Sequence, residues 1–305
     1  MTVVALTNDM LSGSRAALAR VLSRVENSPT GADEALRAIG NRIGKAVRIG
    51  FTGPPGAGKS SLVTCYTKLL RKQGKQVAIL AVDPTSPFSG GALLGDRVRM
   101  NSIGLDPGVF VRSLATRGDL GGLSQAAGDM ADVMDAAGFD FILFETVGVG
   151  QSELEVVQYA DTVVVVLVPE SGDAIQGMKA GLMEAADVFC VNKSDREGAD
   201  RFIGDLQGAM GLKMWDTWTP PVVTTVATRD QGTPELAEQI EAHLDTLRKT
   251  GEFEKRRHAH ARRRIQRMLE KRLLAQFWTK EKAALMDAAL ANGESPYGVL
   301  GKLVG

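Results

Sequence analysis

The chain has 305 residues, which is long enough for one large α/β domain with appendages or for two domains. Hydrophobic residues make up 44% and charged residues 24%, and 36 Lys+Arg balance 36 Asp+Glu, so no global charge points to nucleic acid or an acidic partner. Cys65 and Cys190 lie far apart in apolar segments, which excludes a disulfide framework and favours a reducing compartment. No signal-peptide pattern is evident, and the apolar run at 163–168 is too short to span a membrane. We expect a soluble, cytoplasmic protein that binds neither membranes nor nucleic acid.

Two helices are predicted before residue 46. One covers about 14–26, and the other follows a break at Pro29-Thr30-Gly31. Their apolar residues recur at helical spacing: Leu18, Val21, Leu22 and Val25 in the first, and Leu36, Ile39 and Ile43 in the second. Residues 1–45 are therefore interpreted as an N-terminal helical extension.

Short apolar runs separated by helical patterns follow from Val47 onward. The predicted strands are Val47–Thr52, Gln76–Val82, Gly108–Ala115, Phe139–Glu145, Thr162–Val168, Val188–Val191 and Val222–Ala227. Because most of these runs are continuously apolar rather than alternating, both faces of the sheet should be buried under helices. We expect a three-layer α/β P-loop NTPase domain with a mostly parallel sheet over residues 46–235.

Residues 236–305 are predicted to be mostly helical. The stretch 248–272 is basic, and it continues into apolar residues spaced three or four apart: Ile265, Met268, Leu269, Leu273, Phe277 and Trp278. This spacing predicts an amphipathic helix whose apolar stripe must pack on something. The segment 292–298 should interrupt the helical region before a short C-terminal end.

A phosphate-binding loop is predicted at Gly53-Pro54-Pro55-Gly56-Ala57-Gly58-Lys59-Ser60, between a strand and a helix. Glycines let successive backbone N–H groups converge on phosphate oxygens, and the helix N-terminus adds positive potential. Lys59 can reach the β- and γ-phosphates, and the Ser60 hydroxyl can hold Mg²⁺. The predicted nucleotide contacts here are Gly53, Gly56, Ala57, Gly58, Lys59, Ser60 and Ser61.

The motif Asn192-Lys193-Ser194-Asp195 directly follows a predicted strand, where ligands bind in such sheets. The Asp195 carboxylate can accept hydrogen bonds from N1–H and the exocyclic amine of guanine, whereas adenine offers no donors there. Asn192 suits the other edge of the base, and the Lys193 stem can cover its face. A solvated turn would have the same short sequence, but the distance from the phosphate loop favours GTP. The backbone N–H of Ala227 could reach guanine O6.

Acidic residues at strand ends suggest the magnesium site. Glu145 ends an apolar strand and is followed by Thr146-Val147-Gly148, where the Gly148 N–H could sense the γ-phosphate. Asp83 ends another strand, and Asp96 lies in a Gly-rich segment that could be a nucleotide-dependent switch. Either aspartate could instead be an ordinary cap or turn residue.

Val149 follows Gly148, at the place where many GTPases carry the glutamine that orients the attacking water. Gln151 lies two positions further on and is not assigned a role. We therefore expect slow intrinsic hydrolysis that an outside event accelerates.

With these motifs the chain resembles the methylmalonyl-CoA mutase-associated GTPases (MeaB/ArgK-like) over nearly its whole length. The stretches that carry the resemblance are Gly53–Ser61, Ala81–Pro87, Leu94–Met100, Arg112–Gly118, Glu145–Glu153 and Asn192–Asp195. The resemblance implies a homodimeric GTPase, with a C-terminal dimerisation region over 236–305. It implies coupling of GTP binding and hydrolysis to GDP to the loading and protection of an adenosylcobalamin-dependent acyl-CoA mutase.

The same resemblance implies Mg²⁺ contacts from Ser60, Asp83, Asp96 and Glu145. It also implies a partner-responsive third switch around 173–179, in which Gln176 and Lys179 join Lys59 as candidate catalytic residues. The residues themselves show there only a Gly-containing loop after a strand.

Two other functions use the same fold. A GTPase that inserts a metal such as nickel would be expected to expose Cys/His clusters, and this chain offers only His258-x-His260 and two cysteines in apolar segments. A P-loop kinase of a small metabolite would need an acceptor-binding insertion, which is not evident, and would not need the guanine motif.

Overall fold

In the computed structural model, the described residues are 2–83, 102–115, 122–146, 155–171 and 180–304. The helices before the C-terminal region are α1 Val3–Leu11, α2 Arg15–Asn27, α3 Pro29–Ile39, α4 Lys59–Lys72, α5 Gly122–Ala136, α6 Ala180–Ala185 and α7 Ala199–Gly211. The helices that follow are α8 Thr233–Thr250, α9 Glu252–Phe277, α10 Lys280–Ala291 and α11 Pro296–Val304. The strands are β1 Val47–Thr52, β2 Val77–Asp83, β3 Val109–Ala115, β4 Phe141–Thr146, β5 Thr162–Leu167, β6 Val188–Asn192 and β7 Val222–Thr225. Every predicted strand is present, and its ends differ from the predicted ones by at most two residues.

The described strands form one seven-stranded sheet in the order β3-β2-β4-β1-β5-β6-β7, and each neighbouring pair is parallel. This confirms the predicted α/β fold. Because β1 lies between β4 and β5, the chain order reverses around β1, where open parallel sheets leave a crevice for a ligand. The loops after β1, β4, β6 and β7 all leave the same carboxyl edge of the sheet, so the predicted motifs meet there.

Helices cover both faces of the sheet, as the continuous apolar strands predicted. On one face, Leu62 and Leu70 of α4 and Leu236 and Ile240 of α8 pack in one apolar cluster with strand residues such as Phe51. On the other face, the N-terminal helices and α5 pack against β2 and β4, while α6 and α7 pack against β5 and β6. Burial of both faces explains why β4, β5 and β6 are apolar along their whole length.

The N-terminal extension differs in detail from the prediction. The break between α2 and α3 lies at Ser28 rather than at Pro29-Thr30-Gly31. Pro29 is the first residue of α3, and the Ser28 hydroxyl accepts a hydrogen bond from the Gly31 N–H at 3.1 Å. Ile43 lies beyond the end of α3 and is exposed. Helix α1 was not predicted, although Leu6 and Met10 are buried in the same cluster as α2 and α3.

Polar anchors fix this extension to the sheet domain. The buried Asp135 carboxylate on α5 accepts hydrogen bonds from the backbone N–H groups of Gly44, Lys45 and Ala46 at 2.6, 3.2 and 3.0 Å. These three bonds hold the linker that joins α3 to β1. The linker therefore has a defined path, and the extension shares an apolar core with the sheet domain.

By its contacts, the chain divides into two compact units, Met1–Glu254 and Lys255–Gly305. This division differs from the predicted segments 1–45, 46–235 and 236–305, because α1–α3 and α8 share apolar clusters with the sheet. Within the second unit, a small cluster joins Phe277, Met286, Ala289, Val299 and Leu303. No helix among the described residues is long and apolar enough to cross a membrane.

A buried polar group lies at the amino edge of the sheet, away from the motif loops. The ring of His243, on α8, is 1% exposed, with Nδ1 at 2.9 Å from the Thr162 hydroxyl and Nε2 at 3.2 Å from Asp187 Oδ1. Asp187 Oδ2 accepts a hydrogen bond from the Val163 N–H at 2.8 Å, and the Trp218 indole donates to the Asp187 backbone carbonyl at 2.7 Å. The group therefore ties α8 to the first residues of β5 and β6.

Candidate nucleotide-binding site

The phosphate loop runs from the end of β1 into α4 and needs glycine at defined positions. Gly53 and Gly58 have positive φ angles of 132° and 88°. A Cβ on Gly53 would lie 2.1 Å from the Val166 carbonyl oxygen, and one on Gly58 would lie 2.3 Å from Asn192 Nδ2. The glycine spacing of the motif therefore follows from both backbone conformation and close packing.

Lys59 lies at the start of α4 and is 5% exposed. Its ammonium group donates hydrogen bonds to the carbonyl oxygens of Gly53 and Pro54 at 2.8 and 2.9 Å. The loop therefore curls around the lysine, and the ammonium group lies inside the ring of backbone where phosphate oxygens are predicted to bind. Gly56 is exposed, Ala57 is buried, and Ser61 is exposed on the first turn of α4.

Ser60, in the first turn of α4, meets Glu145, near the carboxyl end of β4. The Ser60 hydroxyl donates to Glu145 Oε1 at 2.5 Å, and the Glu145 side chain is buried. A hydroxyl and a carboxylate oxygen are hard ligands of the kind Mg²⁺ binds, often with several waters retained. The convergence of these two predicted ligands is consistent with a shared cation position.

Asp83 ends β2, the strand beside β4, where Val82 pairs with Thr146. Its backbone therefore reaches the same edge of the sheet as Glu145. The Asp83 side chain lies outside what the structure describes, as do all atoms of Asp96, Gly148, Gln176 and Lys179. Their predicted roles stay predictions.

Asn192 connects the phosphate loop to the base-binding loops. Its Nδ2 donates to the Ala57 carbonyl at 2.8 Å, while its Oδ1 accepts from the Thr225 hydroxyl and the Ala227 N–H, each at 3.1 Å. The sequence predicted that Asn192 and the Ala227 N–H both face guanine. In the structure, the Asn192 amide is instead hydrogen-bonded to Ala57, Thr225 and Ala227, because segments distant in sequence meet at this buried side chain.

Both cysteines lie beside these loops. The Cys65 thiol donates to the Ala227 carbonyl at 3.2 Å, and Cys190 Sγ lies 3.2 Å from the Thr225 hydroxyl. Burial raises the pKa of Cys65 to about 11, with Asp230 adding to the effect, and burial raises that of Cys190 to about 12. Both are therefore protonated thiols at neutral pH that pack behind the base-binding loop.

The last two residues of the guanine motif are arranged by the turn after β6. Lys193 has a positive φ of 56°, and the Asp195 carboxylate, whose side chain is 33% exposed, forms an ion pair with Arg229, Oδ2 to Nη2 at 3.2 Å. Sequence reasoning missed Arg229. It lies two residues beyond Ala227, whose backbone N–H was predicted to reach guanine O6, and nothing in the sequence pairs it with Asp195.

Comparisons with known proteins agree with this geometry. A profile of the family described as "Methylmalonyl Co-A mutase-associated GTPase MeaB" matches residues 18–282. The chain is 50% identical over 256 residues to a protein of Pyrococcus abyssi named as a candidate GTPase, which covers 83% of this chain and 79% of that one. It is 32% identical over 311 residues to the "Methylmalonic aciduria type A homolog, mitochondrial" of Mus musculus, with 94% of this chain and 75% of that protein covered.

Among solved structures, the chain resembles the crystal structure of an LAO/AO transport system kinase. The TM-score is 0.77 at 28% identity, and the alignment covers 99% of this chain and 96% of that chain. The P-loop context, the sheet order and the family profile lead to the same assignment. The chain belongs to the MeaB family of methylmalonyl-CoA mutase-associated GTPases and is a GTP-hydrolysing P-loop protein.

Proposed function

We propose that GTP binds at the carboxyl edge of the sheet with Mg²⁺ held by Ser60 and Glu145, together with Asp83 and Asp96. The meeting of the Ser60 and Glu145 oxygens supports the first two ligands. When bound, Mg²⁺ would neutralise charge on the β- and γ-phosphates. Lys59 would exchange its two carbonyl partners for phosphate oxygens, a local change because the ammonium group already lies within the loop.

We infer further that GTP hydrolysis by this chain gates the loading of adenosylcobalamin into an acyl-CoA mutase, methylmalonyl-CoA mutase or a close relative, and protects that mutase. The observation that carries this proposal is the match of the mutase-associated GTPase profile to residues 18–282. The mouse relative named for methylmalonic aciduria supports the same partner. The absence of a glutamine directly after Gly148 supports slow hydrolysis until the partner binds.

We expect slow GTP turnover by the isolated protein and a rise of at least about tenfold when the cognate mutase is added. Partners that complete a GTPase active site commonly accelerate hydrolysis by far larger factors. The measurement is phosphate release at saturating GTP, with and without the mutase. Transfer of adenosylcobalamin to the apo-mutase, followed by its absorbance spectrum, should require hydrolysable GTP.

An adenosylcobalamin enzyme of another class serves as the control partner and should leave the turnover unchanged. Fast turnover by the isolated chain, or equal stimulation by both enzymes, would contradict the proposed partner. Cofactor transfer that proceeds equally without nucleotide would contradict the gating role.

We also propose that the chain is a homodimer that associates through its C-terminal unit. Ile265, Leu269 and Leu273 recur every four residues along α9 and are 64%, 55% and 54% exposed. No residue of α9 is buried. Leu300 and Val304 of α11 are also exposed. A contiguous apolar stripe of this kind is costly in water, and a second copy of the same unit would cover it.

Leu269→Glu should convert the dimer to a monomer, because it places a charge in the centre of the stripe. The measurement is sedimentation velocity over a range of protein concentrations. Lys271→Glu, which introduces the same side chain on the opposite, exposed side of α9, should leave the dimer intact. A monomeric wild-type protein, or a dimer that tolerates Leu269→Glu, would contradict the interface.

A further inference from the structure

Arg229 contacts the carboxylate that is predicted to read the base. Its Nη2 lies 3.2 Å from Asp195 Oδ2, and the two side chains are 62% and 33% exposed. Among the described residues, Arg229 is the ion-pair partner of Asp195. Oδ2 of Asp195 is therefore already paired with a cation before a ligand binds.

The backbone that carries Arg229 is firmly held relative to the base-binding loop. The Arg229 N–H donates to the Val226 carbonyl at 2.8 Å, and Val226 also exchanges backbone hydrogen bonds with Gln231 at 3.0 and 3.3 Å. The next residue, Asp230, has a positive φ of 54°, and its carboxylate accepts from the Thr233 hydroxyl at 3.1 Å. These hydrogen bonds fix the backbone of the turn and so define the position from which the Arg229 side chain extends.

The chemistry of the carboxylate allows Arg229 and guanine to bind together. An ionised carboxylate has about four lone-pair sites on its two oxygens. N1–H and the 2-amino group of guanine would use one site on each oxygen, and Arg229 uses another on Oδ2. The pair need not break when the base arrives, so it can restrain the rotamer of Asp195 before and during binding.

We propose that Arg229 is a positioning residue for guanine recognition, which acts by orienting the Asp195 carboxylate. The proposal rests on the assignment of Asp195 as the base-reading residue. Arg229 would contribute to selectivity for guanine over adenine and would contribute nothing to phosphate binding. Its effect should also decline with salt, because the guanidinium is largely exposed and exposed ion pairs are screened.

The test is the dissociation constant of GDP, measured by displacement of a fluorescent guanine nucleotide at about 0.02 M and about 0.5 M salt. Arg229→Ala should weaken GDP binding by about 3- to 5-fold at low salt and by less at high salt. ADP and inorganic triphosphate should bind the variant as they bind the wild type. Arg229→Lys, which keeps the charge, should restore most of the loss.

Arg201→Ala is the matched control, because Arg201 is an exposed arginine on α7 that lies 4.0 Å from the Asp205 carboxylate. It should leave every affinity unchanged. In an Asp195→Ala background, Arg229→Ala should have no further effect on GDP binding, because the residue through which it acts is gone.

Two outcomes separate the proposal from its premise. If Asp195→Ala binds GDP as tightly as the wild type, the base-reading assignment of Asp195 is wrong. If Asp195→Ala weakens GDP binding but Arg229→Ala leaves it unchanged or tightens it, Asp195 reads the base and the positioning role of Arg229 is wrong. Tighter binding would identify Arg229 as a competitor of guanine for the carboxylate.

Discussion

Replacing Lys59 with alanine should weaken GTP binding by at least about 100-fold, or ~2.7 kcal/mol. The ammonium group is buried inside the phosphate loop and bonded to the Gly53 and Pro54 carbonyls. Without it, the β- and γ-phosphates would face those carbonyl oxygens with no cation between them. The measurement is GTP affinity by calorimetry, together with the thermal midpoint to confirm that the variant is folded.

Lys68→Ala is the matched control, because Lys68 lies on the same helix but is exposed to solvent. It should bind GTP as the wild type does. A folded Lys59→Ala variant that binds GTP within about tenfold of the wild type would show that the nucleotide binds elsewhere. An equal loss in both lysine variants would point to general electrostatic attraction rather than to a defined phosphate contact.

Replacing His243 with leucine should lower the free energy of unfolding by about 3 kcal/mol. With a proton on Nε2, the His243 ring donates to Asp187, and its Nδ1 lies at hydrogen-bond distance from the Thr162 hydroxyl. Leucine fills a similar volume but offers neither bond, and it leaves the buried hydroxyl and the carboxylate with fewer partners. The measurement is urea unfolding followed by tryptophan fluorescence, since the centroid of the Trp218 ring lies 5.1 Å from that of the His243 ring.

GTP affinity of the folded His243→Leu protein should be unchanged, because this group lies at the amino edge of the sheet and the nucleotide loops lie at the carboxyl edge. His258→Leu, an exposed histidine on α9, should alter stability by no more than about 0.5 kcal/mol. A His243→Leu protein within about 1 kcal/mol of the wild type would mean that the buried bonds contribute little net stability.

The contacts of Arg229 with Asp195 and of His243 with Asp187 could not be predicted from the sequence. The strand ends and the phosphate loop could be predicted because apolar runs and glycine spacing are local patterns. Arg229 is 34 positions from Asp195, and His243 is 56 positions from Asp187 and 81 from Thr162. Such pairs depend on which strands become neighbours, and no local pattern encodes that.

Helix α1 was missed for a related reason. It has only 9 residues, and the burial of Leu6 and Met10 depends on contact with α2 and α3. The break between α2 and α3 was predicted at Pro29-Thr30-Gly31 but lies at Ser28, because proline fits the first turn of a helix, where no backbone N–H is needed.

By itself, the sequence determined the apolar strand segments of the α/β fold, a phosphate loop at Gly53–Ser60 and a motif at Asn192–Asp195 that is predicted to read guanine, because each depends on residues adjacent in the chain. Only the tertiary structure decided how these motifs are joined. The Asn192 amide bridges Ala57 and Ala227, and Ser60 meets Glu145, because β1, β4, β6 and β7 end at one edge. Side chains far apart in sequence come within hydrogen-bond distance only after the order of the strands has been set.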